Sequence, residues 1–357
     1  MAATLLQPVG WTEALLAVPG SDARLAMRHC QPHDGPVRAR VVLAAAIGVP
    51  QTYYAAFAEW LAARGFAVTT FDYRGHAASL HGPLRQARAD MFDWAQDCLA
   101  VADHLRALDA AAGLQRPLFW LGHSVGAQLP GLCRPVLPVD GLLAIASGSG
   151  YWRDNAPPTK RKVLLWWWLV QPVVTALCGC LPGKRLGLIG DLPAGVVWQW
   201  RRWCMHPNYS VGVEGEPVRH SYAAARYPVH ALSMTDDEMM SWASTRSLLG
   251  WYRNAPQALE RIRPAESGQP RIGHFGFFRR EMADTLWPRA HAVLQQWLAQ
   301  AGTQSGATGA GQPQGGLQLA PAGQLTRTEA ATVGAKHRPP ASPQAGAGQG
   351  DLFTEAI

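Results

Sequence analysis

No stretch of this chain is apolar for long enough to cross a bilayer. The longest candidate, Val163–Cys178 (VLLWWWLVQPVVTALC), is broken by Gln171 and Pro172 and falls short of the roughly 20 residues that a spanning helix needs. The first thirty residues lack a basic start followed by an unbroken apolar run, so no export signal is expected and a cytoplasmic protein is. Cysteine is sparse. Its six residues (Cys30, Cys98, Cys133, Cys178, Cys180 and Cys204) show none of the C-x-x-C spacing of a zinc site, so reduced thiols and no metal are expected. Charged residues make up only 16% of the 357, and the formal excess of +7 is too diffuse for a nucleic-acid stripe. None of the usual nucleic-acid motifs accompanies it, so no nucleic-acid partner is expected. No internal repeat is present.

What is there is an apolar chain, 48% hydrophobic, long enough for one large α/β domain with an insertion or for two modest domains. Most of the positive excess lies between Tyr151 and Ala225, where nine Lys or Arg face four Asp or Glu. Such a basic rim suits acidic substrates or an anionic membrane surface. From Gly302 the chain is built of Gly, Ala, Gln, Pro, Ser and Thr without apolar periodicity, too little buried surface to offset ordering entropy. Residues 301–357 are therefore expected to be a disordered tail.

Before the tail, apolar runs alternate with amphipathic segments. Arg38–Ala46, Ala67–Phe71, Pro117–Leu121, Gly141–Ala146 and Val229–Ser233 read as short strands. Tyr53–Arg64, stopped by Gly65, and Met91–Leu108 read as helices. That alternation implies an α/β fold, a mostly parallel sheet with helices on both faces. Catalytic groups of such sheets gather at the carboxyl ends of the strands.

There the chain places GHSVG (Gly122–Gly126), which fits the G-x-S-x-G turn between strand and helix that exposes a nucleophilic serine. A serine hydroxyl needs a base, and a histidine needs a carboxylate to fix its tautomer. Downstream lie SMTDDE, with Asp236 and Asp237 after a strand, and His274 between Gly273 and Phe275. Spacing from the strand end favours Asp237 as the acid over Asp236, and Asp154 is a third carboxylate in reach. The amide of Val125 is one expected oxyanion donor. Val49, in the loop after the first strand, is the other, because Pro50 has no N–H to give. Asp72-Tyr73-Arg74-Gly75 reads as a structural lock of a turn.

The ordered set of GVPQ at Gly48, FDYRG at Phe71, GHSVGAQ at Gly122, ASGSGYW at Ala146, DLPAGV at Asp191, RWCMHP at Arg202, TDDE at Thr235 and RIGHFGFF at Arg271 resembles the α/β-hydrolase superfamily from about Leu25 to Ala299. More narrowly, it is similar to a bacterial "predicted alpha/beta hydrolase" group. The resemblance implies a triad of Ser124, Asp237 and His274. Two departures stand out. Ala77 replaces a second glycine common in the fold, and Pro130 falls inside the helix expected after the serine, where it should kink it.

More than eighty residues separate the GLLAIA strand from the VHALS strand, far too many for a simple connection. In α/β-hydrolases an insertion here is typically a lid. The expected organisation is thus core 1–150, a helical lid 151–225, core 226–300 and tail 301–357. Seven tryptophans fall in the insertion, and Trp152, Trp166, Trp167 and Trp198 are expected to wall an apolar pocket. Lys160-Arg161-Lys162 directly before VLLWWWLV suits a membrane surface, so weak peripheral membrane contact is a further expectation. The activity expected is hydrolysis of a carboxylic ester or thioester with an apolar acyl part, without cofactor. Acyl transfer on the same triad and a non-catalytic binding or scaffold role are the alternatives.

Overall fold

The computed structural model describes residues 8–188 and 190–307. An antiparallel hairpin, β1 (Val9–Ala17) and β2 (Arg24–Pro32), opens the chain. It is followed by β3 (Ala39–Ala44), α1 (Ala55–Ala62), β4 (Phe66–Phe71), α2 (Met91–Ala111), β5 (Leu118–His123) and β6 (Gly141–Ile145). The insertion holds α3 (Pro157–Leu165), a π turn (Trp166–Val170), α4 (Gln171–Cys178), the short strands β7 (Cys180–Leu181) and β8 (Leu192–Pro193), α5 (Ala194–Met205), α6 (Tyr209–Val213) and α7 (Glu216–Ala224). The chain then returns through β9 (Val229–Met234), α8 (Trp242–Trp251), β10 (Gln257–Ile262) and α9 (Trp287–Ala307).

One sheet of eight strands results, ordered β1-β2-β4-β3-β5-β6-β9-β10 and parallel from β4 to β10. Every residue of β4, β5 and β6 is buried, so both faces of the central sheet are covered. That double burial is why these strands read as continuous apolar runs. The register aligns Ala44 of β3 with Gly122 of β5, Gly122 with Ala144 of β6, and Ala144 with Ala231 of β9. The loops leaving these four strands therefore open on one edge of the sheet.

Helix α2 begins at a reciprocal cap. The Asp90 carboxylate accepts the amides of Phe92 and Asp93 at 2.8 and 2.9 Å, and Asp93 accepts the amide of Asp90 at 2.9 Å. The FDYRG turn locks neighbouring loops. Asp72 accepts the backbone and side-chain N–H groups of Gln51 at 2.8 and 3.0 Å, while Arg74 pairs with the buried Asp97 at 2.6 Å.

Two features differ from the sequence reading. The segment after Ser124 is not one kinked α-helix but two short 3-10 turns, 124–127 and 129–132. Pro130 has no N–H for the longer ladder, and Gly131 packs so tightly that a Cβ there would stand 1.9 Å from the Tyr222 ring. At the other end α9 continues to Ala307, past the expected boundary at 301, and the rest of the tail lies outside the described residues. Among the described residues all six cysteines are free, with only Cys178 exposed, and no helix is long and apolar enough to cross a membrane.

Candidate active site

Strand β5 delivers the chain to Ser124, which turns with a φ of +53°. A left-handed backbone at a residue with a side chain costs on the order of 1–3 kcal/mol and must be held by its surroundings. The two motif glycines make that possible. A Cβ on Gly122 would lie 2.3 Å from the Ala127 nitrogen, and one on Gly126 would lie 2.3 Å from the Ala44 carbonyl oxygen. The turn thus folds back onto its own strand and presses against β3. It is tied by Ser147 Oγ, which donates to the Ser124 carbonyl at 2.7 Å, and by Trp120 Nε1, which donates to the Gly126 carbonyl at 2.9 Å.

The three consecutive acids after β9 divide their tasks. His274 Nδ1 stands 3.0 and 3.1 Å from the two oxygens of Asp237. An ionised carboxylate only accepts, so Nδ1 carries the proton and Nε2 keeps its lone pair. Asp237 is buried, and its Oδ1 also accepts the amides of Met239 and Met240 at 2.8 and 2.7 Å. Asp236 accepts the amides of Ile272 and Gly273 instead, at 2.8 and 3.1 Å, and so fixes the histidine loop. Glu238, which sequence reasoning overlooked although it ends the same TDDE run, accepts the His274 amide at 3.2 Å and pairs with Arg271 at 3.4 Å. Asp154 bonds Ser149 at 3.4 Å, outside the cavity wall.

Burial is the largest influence on His274 and pushes its pKa down. The Asp237 charge, the Asp237 hydrogen bond and the Glu238 charge together outweigh it and hold the imidazole above the ordinary histidine value. A protonated His274 cannot take a proton from serine, so reactivity should fall as pH drops through that raised value. Glu238→Gln removes one raising charge while keeping an acceptor for the amide. The acid limb of the rate of Ser124 labelling by a fluorophosphonate is therefore expected to move to lower pH. An unmoved limb would show that Glu238 acts on the loop backbone alone.

His123, the second residue of the motif, joins three loops. Burial pushes its pKa far below the ordinary value, so it is neutral. Its Nε2 donates to the His274 carbonyl at 3.0 Å, and its Nδ1 accepts from the Tyr54 hydroxyl at 2.8 Å. That hydroxyl oxygen in turn accepts the Ala46 amide at 2.9 Å. Beyond Ala46 the chain departs from expectation. Gly48, at a φ of +72°, bends the loop so that the Val49 amide donates to the Ala46 carbonyl at 3.1 Å, and Val49 is not in the cavity wall. The amide of Val49, the expected second oxyanion donor, is therefore engaged within its own loop, and it is Ile47 that borders the cavity beside Ser124 and Val125. The insertion closes over this loop, with the Gly190 amide donating to the Gly48 carbonyl at 2.8 Å.

One cavity collects these groups. Ser124, Val125, Ile47 and His274 form its floor, and Trp166, Trp167 and Trp200 form its roof. Trp152 and Trp198, expected in the wall, lie outside it. Trp152 is half-buried against the core and Trp198 points outward, while Trp200 meets Trp167 edge-on with ring centroids 4.9 Å apart. No group of three or more His, Cys, Asp or Glu that could hold a metal stands among the described residues.

A family model described as serine aminopeptidase, S33, matches residues 35–177, a span that contains Ser124 and stops before Asp237 and His274. Among solved structures, a soluble variant of monoglyceride lipase from Saccharomyces cerevisiae in complex with a substrate analog is similar with a TM-score of 0.57 and 15% identity, over 83% of this chain and 96% of that one. Est1E from Butyrivibrio proteoclasticus with bound ferulic acid gives 0.51 and 15%, over 80% and 99%. Alpha/beta hydrolase domain-containing protein 10 from mouse gives 0.50 and 15%, again over 80% and 99%. No curated protein sequence matches the chain. At such identities the likeness is one of fold.

Proposed function

We propose that this chain, which has the fold of the α/β-hydrolases, is a member of that superfamily and a serine hydrolase of carboxylic esters or thioesters with a largely apolar acyl part. The observation that carries the reading is that Ser124, in its left-handed turn, shares a cavity with a buried His274 whose Nδ1 is held by Asp237. The family description, a serine aminopeptidase, supports a nucleophilic serine, and the monoglyceride lipase among the similar structures supports ester chemistry on this fold.

In this mechanism Ser124 Oγ gives its proton to His274 Nε2 as it bonds to the acyl carbon. The developing oxyanion is met by the amides of Val125 and Ile47. His274 passes the proton to the leaving alcohol or thiol, and the old ester bond breaks. Water then gives a proton to His274, adds to the acyl-enzyme, and releases the free acid while Ser124 recovers its proton. Asp237 holds the tautomer throughout and offsets the transient imidazolium charge.

The tryptophan-roofed cavity sets the expected selectivity. Across nitrophenyl esters of increasing chain length, each buried methylene adds about 0.8 kcal/mol, up to roughly fourfold in kcat/KM, until the cavity is filled. Equal rates from acetate to long acyl chains would contradict the apolar pocket. Free acid is the expected product even with a competing alcohol present, and dominant transfer to that alcohol would favour the acyltransferase alternative. An aminoacyl nitroanilide is expected to be a poor substrate. Glu238, the carboxylate of the cavity wall among the described residues, is already engaged by Arg271 and the His274 amide rather than open to a substrate ammonium.

A further inference from the structure

Large apolar side chains exposed to solvent are few on this protein, and most are gathered in one place. Of the eleven among the described residues, seven lie between Leu165 and Trp198. Five of these, Leu165, Trp168, Leu169, Val173 and Leu177, sit on the continuous helical segment 157–178, at steps of three or four residues. Such spacing places them on one stripe over more than three turns. Leu177 is 82% exposed and Trp168 65%, so among the described residues most of each side chain is left uncovered. The opposite side of the same helix, at Lys162, Val163, Trp166 and Trp167, faces the cavity above Ser124. The π turn at Trp166–Val170 marks the division, since Trp167 is 3% exposed and its neighbour Trp168 projects outward. This helix is thus apolar on both sides, toward the site within and toward solvent without.

Charge identifies what covers the outer side. Residues 157–205 carry Lys160, Arg161, Lys184, Arg185, Arg201 and Arg202, besides the cavity-facing Lys162, against Asp191 alone, an excess of six (seven minus one) out of +7 for the whole chain. Lys184 and Arg185 are exposed in the turn after β7. Arg201 places its guanidinium 5.6 Å from the Trp168 ring, and Arg202 is loosely paired with Glu214 at 3.6 Å. A second copy of the chain docking through this stripe would bring one cationic rim against another. A surface of anionic headgroups over hydrocarbon satisfies both the rim and the stripe.

We propose that the outer face of 157–178, with the basic residues beside it, docks on an anionic lipid bilayer and so places the cavity on the inner face next to lipid-dissolved ester. The docking stands on the exposed face alone; the delivery of substrate rests on the ester-hydrolase reading. Cosedimentation of the full chain with vesicles of phosphatidylglycerol and phosphatidylcholine tests the docking, with pure phosphatidylcholine as the reference. Binding is expected to require the anionic lipid. It should fall by roughly tenfold or more in Leu169→Asp/Leu177→Asp and in Lys184→Glu/Arg185→Glu. In both variants, turnover of a short soluble nitrophenyl ester and fluorophosphonate labelling should stay at the wild-type level, because none of the four residues borders the cavity.

Absence of vesicle binding by a chain that turns over soluble ester would overturn the docking and leave the hydrolase reading intact. Binding that survives all four substitutions would overturn it as well. So would a concentration-dependent dimer that Leu169→Asp/Leu177→Asp dissolves without any vesicle binding. Vesicle binding by a chain that turns over no ester would instead uphold the docking and remove the hydrolase reading.

Discussion

Ser124→Ala is expected to lower turnover of a nitrophenyl ester by about 10⁴- to 10⁶-fold, the range seen when a triad nucleophile is removed. The melting temperature should stay within a few degrees of wild type. The substitution removes one oxygen and leaves the turn in place, because the turn is enforced by the close approaches at Gly122 and Gly126 and by the bonds from Ser147 and Trp120. Alanine pays the same left-handed backbone cost as serine, so the folded state loses little. The residual rate would come from the cavity and the oxyanion amides. A loss of less than tenfold in a folded variant would mean that a group other than Ser124 attacks the substrate.

The second large effect separates two neighbouring acids. Asp237→Asn is expected to lower kcat by about 10⁴-fold. Its amide would meet Nδ1 with an N–H and so favour the imidazole tautomer that has its proton on Nε2, where it cannot receive one from serine. Asp236→Asn keeps a carbonyl oxygen for the amides of Ile272 and Gly273 and should stay within roughly tenfold of wild type, since it acts on the loop and not on the ring. Steady-state kinetics of the two variants decide the matter, and the reverse order would transfer the role to Asp236.

How much of this was legible in the sequence depended on how local each cause is. The central strands declared themselves because burial on both faces demands unbroken apolar runs. The edges did not. β1 and β10 carry half-exposed and exposed positions such as Thr12, Glu13 and Glu260, so no continuous apolar run marks them. GHSVG was readable because its two glycines answer contacts made within a few residues and with the adjacent strand. The engagement of the Val49 amide was not, because it depends on the bend at Gly48 that carries this N–H back to the Ala46 carbonyl. The acids were legible as a cluster, yet their division among ring, loop amides and Arg271 depends on how TDDE folds against RIGHFGFF, thirty-six residues later in the contact of Asp236 with Ile272. The tryptophans show the same limit. Composition announced an aromatic roof, but the π turn and the packing of α5 decided that Trp200 lines it while Trp198 faces outward.

The claim that Ser124 is the nucleophile of a working triad is tested most directly by the site of covalent capture. After reaction with a fluorophosphonate, intact mass followed by peptide mapping is expected to show one adduct per chain on the peptide carrying FWLGHSVGAQ, located at Ser124 and absent from Ser124→Ala. A folded wild-type chain that takes up no adduct, or takes it up at a different residue, would contradict the account.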